Sequence, residues 1–178
     1  EEAVLTARGA LSADELDARF LRSANFAWLL VDDGYPDPAE CSDREALAQR
    51  AGCRVGWIER VETVAEALVA DAEGFSSFDH ALRAHLESAR DRGVFGLKSV
   101  AAYRSGLAIA TPDRDDVKSA FKRLRRMPRP RLEQKALVDH VVELTMKAAA
   151  DQELPVQFHT GYGDSDADLL LADPLHLA

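Results

Sequence analysis

Cysteine is nearly absent from this sequence, with only Cys41 and Cys53 among 178 residues. The two residues form no CxxC pair and lack a spacing typical of metal ligands, which argues against a disulfide framework. A chain that uses cysteine so sparingly suits a reducing compartment. We therefore expect a cytoplasmic protein.

Excess positive charge and long apolar runs are missing as well. The chain carries 31 acidic against 22 basic residues, a net charge of −9. Nucleic-acid binding requires a basic face, so this balance argues against such a partner. No stretch of 18 apolar residues and no signal peptide is present, which argues against a membrane partner. A homo-oligomer stays open.

One segment departs from the acidic average, Lys122-Arg-Leu-Arg-Arg-Met-Pro-Arg-Pro-Arg131. Cations in the last turn of a helix are favoured by the helix dipole and usually face water. We therefore interpret the segment as a solvated face, with phosphate binding as the less favoured alternative.

The chain also lacks the features of natural termini. It begins Glu1-Glu2 without an initiator Met and stops at Ala178 inside an apolar stretch. We expect a segment of a longer protein. Its length and its 47% hydrophobic content suit a single domain over residues 1–178 with a sizeable core.

The chain alternates between short apolar strands and longer helical segments. Apolar strands separated by helices indicate a parallel sheet covered on both faces, as in a barrel or a doubly wound sheet. A barrel requires parallel strands that are adjacent in chain order. The predicted strands are residues 26–31, 54–58, 96–100 and 155–158, and the predicted helices are 13–24, 42–52, 63–71, 75–92, 113–126 and 132–151.

The fourth predicted strand delivers a histidine, His159, at its end. Side chains at the carboxyl ends of barrel strands converge on one open face, so we assign His159 a metal-binding or catalytic role. The alternative is a neutral imidazole whose ring is satisfied by a backbone group. The other four histidines have ordinary explanations: His80, His85 and His140 lie on helices, and His176 lies near the end of the chain.

Lys98 is the second unusual strand residue. Pleat alternation places its side chain on the face opposite Leu97 and Ser99. A buried ammonium needs a carboxylate or must lose its charge. Lys98 therefore forms an ion pair with Glu62 or Asp32, or its amine lies in the active site. In the second case, a carboxylated lysine would bridge metal ions. Further strand-end polar residues are Asp33, Arg60 and Asp164.

Two motifs carry a family resemblance. Gly96-Leu-Lys-Ser-Val-Ala-Ala-Tyr-Arg-Ser-Gly-Leu107 and Leu154-Pro-Val-Gln-Phe-His-Thr-Gly-Tyr-Gly-Asp164, followed by Asp173-Pro-Leu175, resemble the amidohydrolase-related branch of the amidohydrolase superfamily. The closest likeness is to the group that also occurs fused to glutamine synthetase. The resemblance covers nearly the whole chain.

The resemblance implies an α/β fold of the (β/α)₈ TIM-barrel type with a metal site. That family has a His-x-His pair on the first strand, histidines on the fifth and sixth, an aspartate on the eighth, and in some members a carboxylated lysine on the fourth. With one strand before Glu1, the four strands become the second to fifth, and Lys98 and His159 fall on the fourth and fifth. No His-x-His occurs in the sequence. We therefore expect about half a barrel, inactive alone.

For the parent protein, the resemblance implies metal-dependent hydrolysis of a C–N bond in a small molecule. A divalent ion, zinc in particular, would activate water, with an aspartate as general base and His159 as a ligand. Arg104 and Tyr103 could bind a substrate carboxylate, although an Arg104–Glu62 ion pair is an equal alternative. The candidate catalytic residues are Glu62, Lys98 and Arg104.

Three other functions stay open. Related branches of the superfamily contain decarboxylases, and a degenerate barrel could serve as a non-catalytic scaffold. The third is a doubly wound domain that binds phosphate through Gly161-Tyr-Gly-Asp164 at a helix N-terminus. That segment lacks the GxGxxG and Walker spacings, and Asp164 would repel phosphate, so this function is the least favoured.

Overall fold

The computed structural model describes residues 2–32, 34, 43–160 and 167–178. Cys41, Asp33 and the segment Gly161–Asp164 lie outside these residues. None of the helices in the described part of the chain is long and apolar enough to cross a membrane. The helices are α1 Glu2–Gly9, α2 Ala13–Ser23, α3 Arg44–Ala51, α4 Val61–Asp71, α5 Phe75–Glu87, α6 Arg114–Leu124 and α7 Lys135–Asp151, and the strands are β1 Trp28–Asp32, β2 Arg54–Arg60, β3 Val94–Ser99 and β4 Val156–Phe158.

The four strands form one sheet in the order β1-β2-β3-β4. β3 and β4 pair in parallel, with Leu97 opposite Val156 and Ser99 opposite Phe158. Gly96 lets these two strands approach, because a Cβ there would lie 3.0 Å from the carbonyl oxygen of Pro155. The predicted strand order is confirmed. Strands adjacent in chain order and joined by helices are the arrangement of a barrel.

Most predicted elements are confirmed, with shifted ends. The capping box of Ser12 and Glu15 starts α2, and Gly52 ends α3 at a positive φ of 69°. The predicted start of the third helix at residue 63 is wrong, because β2 runs to Arg60 and α4 starts directly at Val61 without a side-chain cap. The chain needs no loop there, so no capping residue marks the boundary. The helix α1 and two short 3₁₀ turns, Ala101–Tyr103 and Pro174–Leu177, were not predicted.

The chain divides into two compact units, Glu1–Trp57 and Ile58–Ala178. In the first unit, the guanidinium of Arg22 donates hydrogen bonds to the carbonyl oxygens of Gln49 and Arg50, at 3.3 and 3.1 Å. These bonds link α2 to the end of α3. The guanidinium carbon of Arg54 lies 3.8 Å from the ring centroid of Trp28, a cation–π contact.

The second unit contains most of the hydrophobic core. Leu97 of β3 is completely buried, and the rings of Phe78 and Phe121 pack with their centroids 5.2 Å apart between α5 and α6. The buried side chains of the helices that surround them are Val61, Ala65, Val69, Leu82, Leu86, Leu124, Leu137, Val138 and Val141. The helix layer of this unit is therefore a packed support for the carboxyl ends of its strands.

An ion pair with a buried carboxylate connects β2 to the turn between α5 and β3. The carboxylate of Glu59, 5% exposed as a residue, accepts two hydrogen bonds of 2.7 Å from the guanidinium of Arg92. Nε2 of His85 lies 3.1 Å from the same carboxylate. Burial disfavours the Glu59 carboxylate, but the hydrogen bonds from Arg92 and His85 outweigh that effect and hold the pKa of Glu59 at about 2. The pair is therefore ionised at neutral pH.

We expect Arg92→Ala to destabilise the protein by about 3 kcal/mol or more, because it leaves a buried carboxylate without its cation. Arg90→Ala is the matched control, since the Arg90–Glu153 pair is exposed and its charges are 4.0 Å apart. Urea unfolding at pH 7 measures both variants.

The pH dependence gives a second check on this pair. A depressed pKa stabilises the folded state above the unfolded value of 4.5, and the gain is lost as the pH falls towards about 2. The difference between wild type and Arg92→Ala should therefore shrink as the pH falls through this range. A difference that stays constant from pH 7 to pH 2 would contradict the assignment.

Candidate functional site

Polar side chains collect at the carboxyl ends of the strands in the second unit. Glu62 follows β2, Ser99 is the last residue of β3, Tyr103 and Arg104 come shortly after it, and His159 follows β4. Carboxyl ends of parallel strands meet at one edge of a sheet, which is where barrel enzymes carry their sites. This edge is the candidate site.

His159 is held from both its backbone and its ring. Its backbone N–H donates to the carbonyl oxygen of Ser99 at 3.0 Å, which extends the pairing of β3 and β4 by one residue. Its ring Nε2 is hydrogen-bonded to the hydroxyl of Tyr103, and the two ring centroids lie 4.5 Å apart. The ring of His159 therefore has a side-chain partner, the hydroxyl of Tyr103. Sequence reasoning expected Tyr103 on a substrate carboxylate and missed this contact.

Glu62 is completely buried beneath the turn that follows β3. Its Oε1 accepts hydrogen bonds from the hydroxyl of Ser99 at 2.7 Å and from the backbone N–H of Val100 at 3.0 Å. Its Oε2 is also buried and has no hydrogen-bond partner among the described residues. Burial raises the pKa of Glu62, against these hydrogen bonds and the nearby charge of Arg104, which lower it.

Arg104 forms its ion pair with Glu66 and not with Glu62. Nη2 of Arg104 lies 3.3 Å from Oε1 of Glu66, which also accepts a hydrogen bond of 2.7 Å from the backbone N–H of Leu132. The alternative Arg104–Glu62 ion pair is therefore wrong, because Glu66 lies one helical turn further along α4 and takes the guanidinium. Nη1 of Arg104 is buried and unpartnered within the described part of the chain.

Lys98 and Asp32 are the other strand residues that the sequence indicated. Lys98 is partly exposed and lies opposite Gln157 in the strand register, while Leu97 and Ser99 beside it are buried, as pleat alternation predicts. Asp32 belongs to the first unit, where its carboxylate accepts a hydrogen bond of 2.9 Å from the backbone of Gly34. The convergence of Asp32 with the other strand-end residues stays a prediction, and Asp33 and Asp164 lie outside the described residues.

The side chains at the strand ends include few groups that are free to bind a metal ion. Within residues 2–32, 34, 43–160 and 167–178, no group of three or more His, Cys, Asp or Glu side chains could hold an ion. Nε2 of His159 is engaged by Tyr103, and Oε1 of Glu62 is engaged by two donors. The described residues therefore do not fit a complete metal site by themselves.

Comparison with known proteins gives two matches. The chain is 38% identical to Protein fluG of Emericella nidulans over an alignment of 98 residues, which covers 49% of this chain and 11% of that protein. Its fold matches a crystal structure from Lactobacillus casei ATCC 334, named "putative metal-dependent hydrolase", with a TM-score of 0.85 and 29% identity over 93% of this chain. The chain spans 45% of that structure. No family model matches the chain.

Tyr103→Phe should change the ring-nitrogen NMR shifts of His159, because the hydrogen bond at one ring nitrogen sets the tautomer of an imidazole. Loss of one hydrogen bond should also cost about 0.5–1.5 kcal/mol of stability. The measurement is a spectrum of ¹⁵N-histidine-labelled protein without metal at fixed pH. The exposed His80 is the internal control, and unchanged His159 shifts would show that the contact does not exist in solution.

Proposed function

We propose that this chain is part of a metal-dependent hydrolase with a (β/α)₈ barrel, in which β1 to β4 are the second to fifth strands. The observation that carries the proposal is the match to the Lactobacillus casei structure over 93% of this chain. The parallel sheet with strands in chain order supports it independently.

In this proposal, His159 contributes one metal ligand, and the other ligands belong to parts of the protein outside the described residues. Its position directly after β4 supports this role, since catalytic residues of barrels come from the ends of several strands. The backbone hydrogen bond to Ser99 fixes the Cα of His159. Tyr103 fixes the ring, so the imidazole is oriented before any ligand arrives.

The proposed reaction is hydrolysis of an amide-like C–N bond in a small molecule that carries a carboxylate. Arg104 supports the second part of this proposal. The side chain of Arg104 is 12% exposed and its Nη2 is anchored on Glu66, so the guanidinium has N–H donors left for an acceptor such as a carboxylate oxygen. A decarboxylase would use the same anchor for its substrate, so product analysis must separate the two reactions.

A non-catalytic scaffold is the second candidate function. One observation favours it: the described residues contain no cluster of three or more metal-ligating side chains. A scaffold would hold no stoichiometric metal even as the full-length protein. Elemental analysis of that protein therefore distinguishes the two candidates before any substrate is known.

In the full-length protein, we expect His159→Ala to lower metal affinity or activity about 10-fold or more, because the loss of a direct ligand costs at least as much as the loss of its supporting residue. Elemental analysis and steady-state rates on a panel of small amides measure the effect. His80→Ala is the matched control, since His80 is exposed on α5 and lies away from the strand ends. Full metal occupancy and wild-type rates in His159→Ala would refute the mechanism.

Lys98→Ala separates two roles for the strand lysine. If Lys98 belongs to the metal site, the variant should lose metal and activity as His159→Ala does. If Lys98 forms a peripheral ion pair, the variant should lose at most about 1 kcal/mol of stability and keep its metal. We expect the first result, measured by elemental analysis together with urea unfolding; retained metal would remove Lys98 from the site.

A further inference from the structure

Glu62 was a catalytic candidate on its sequence position, but its surroundings indicate a different role. The residue has no exposed surface, and its hydrogen bonds go to Ser99 and Val100. A proton-transfer group must come within hydrogen-bond reach of the proton that it moves. A carboxyl buried beneath the turn that follows β3 is poorly placed to reach a substrate. It is well placed to fix the position of that turn.

Both donors to Glu62 stand at the start of the turn that carries Tyr103. The hydroxyl of Ser99, which donates to Glu62, also accepts a hydrogen bond of 3.2 Å from the backbone N–H of Ala101. The carbonyl oxygen of Val100 accepts a bond of 3.0 Å from the backbone N–H of Tyr103. One carboxylate oxygen of Glu62 therefore fixes the first two residues of the turn, and the turn fixes Tyr103.

The same residues hold His159. The carbonyl oxygen of Ser99 accepts the backbone N–H of His159, while the hydroxyl of Tyr103 meets its ring. A shift of the turn would move both contacts at once. The carboxylate of Glu62 and the imidazole of His159 are thus connected through Ser99 and Tyr103.

We propose that Glu62 is a positioning residue, which acts as a buried hydrogen-bond acceptor on Ser99 and Val100 and so holds Tyr103 against the ring of His159. The importance of this role for catalysis rests on the proposed function. The hydrogen-bonded connection from Glu62 to His159 does not depend on that function. The raised pKa of Glu62, caused first by burial, agrees with a group that is needed for its acceptor oxygen more than for its charge.

The two carboxylate oxygens of Glu62 differ in a way that allows a sharp test. Both hydrogen bonds fall on Oε1, whereas Oε2 has no partner in the part of the chain that the structure describes. The side-chain amide of Gln keeps one acceptor oxygen and replaces the other with NH₂. Glu62→Gln can therefore keep both hydrogen bonds, while Glu62→Ala loses both.

The experiment records ring-nitrogen NMR shifts of His159 in metal-free, full-length protein labelled with ¹⁵N-histidine, at one pH. Tyr103→Phe gives the reference spectrum for a ring that has lost its partner. Glu62→Ala should shift His159 towards that reference, and Glu62→Gln should stay at the wild-type position. Thr63→Ala is the control, because Thr63 is the exposed neighbour of Glu62 on the same helix.

Two results would overturn the proposal: a folded Glu62→Ala with wild-type His159 shifts, or a Glu62→Gln that is displaced as far as Glu62→Ala. If Glu62→Ala does not fold, Ser99→Ala tests the proposal in its place. This variant removes the hydroxyl that donates to Glu62, but it keeps the backbone carbonyl that accepts the N–H of His159. A displaced His159 ring in Ser99→Ala then supports the proposal, and an unchanged ring refutes it. The NMR readout needs neither metal nor turnover. The proposal for Glu62 can therefore be tested even if the protein proves to have no hydrolase activity.

Discussion

The buried hydrogen bond between Ser99 and Glu62 is the constraint on which the strand-end cluster depends. Ser99 uses its hydroxyl twice and its carbonyl once: it donates to Glu62, accepts from Ala101 and accepts from His159. These bonds connect the segment after β2, the turn after β3 and the residue after β4. Because Ser99 is itself 1% exposed, water cannot easily replace any of them. The positions of Tyr103 and His159 follow from this one residue.

Much of the fold could be predicted because its signals are local. Apolar strands of four to six residues, capping residues such as Ser12 and Asp113, and the positive-φ end of α3 at Gly52 each leave a mark in the sequence. The errors came where the chain changes element without such a mark. β2 passes into α4 between Arg60 and Val61, and the position of that boundary is set by burial of Val61 and Glu62 and not by a cap.

The candidate site could be predicted as a set of positions but not as a set of contacts. Strand-end position selected Glu62, Lys98 and His159 as candidates, since parallel strands present their carboxyl ends at one edge. Arg104 was added by the family resemblance. The partners of these residues depend on tertiary distances that the sequence does not record. Arg104 forms its ion pair with Glu66 and not with Glu62, and Tyr103 is hydrogen-bonded to the ring of His159, 56 positions further along the chain. Only the short spacing of Tyr103 from the end of β3 hinted that it belongs to the edge.

Glu59 and Glu62 lie three residues apart and both are buried, yet their environments shift their pKa values in opposite directions. Glu59 meets a guanidinium through two hydrogen bonds, so its pKa falls to about 2 and the group serves as one half of an ion pair. Glu62 meets neutral donors, and burial raises its pKa. At the strand ends, Ser99 and Val100 both donate to one acceptor oxygen of Glu62. The turn that follows these two residues carries Tyr103, whose hydroxyl is hydrogen-bonded to the imidazole of His159.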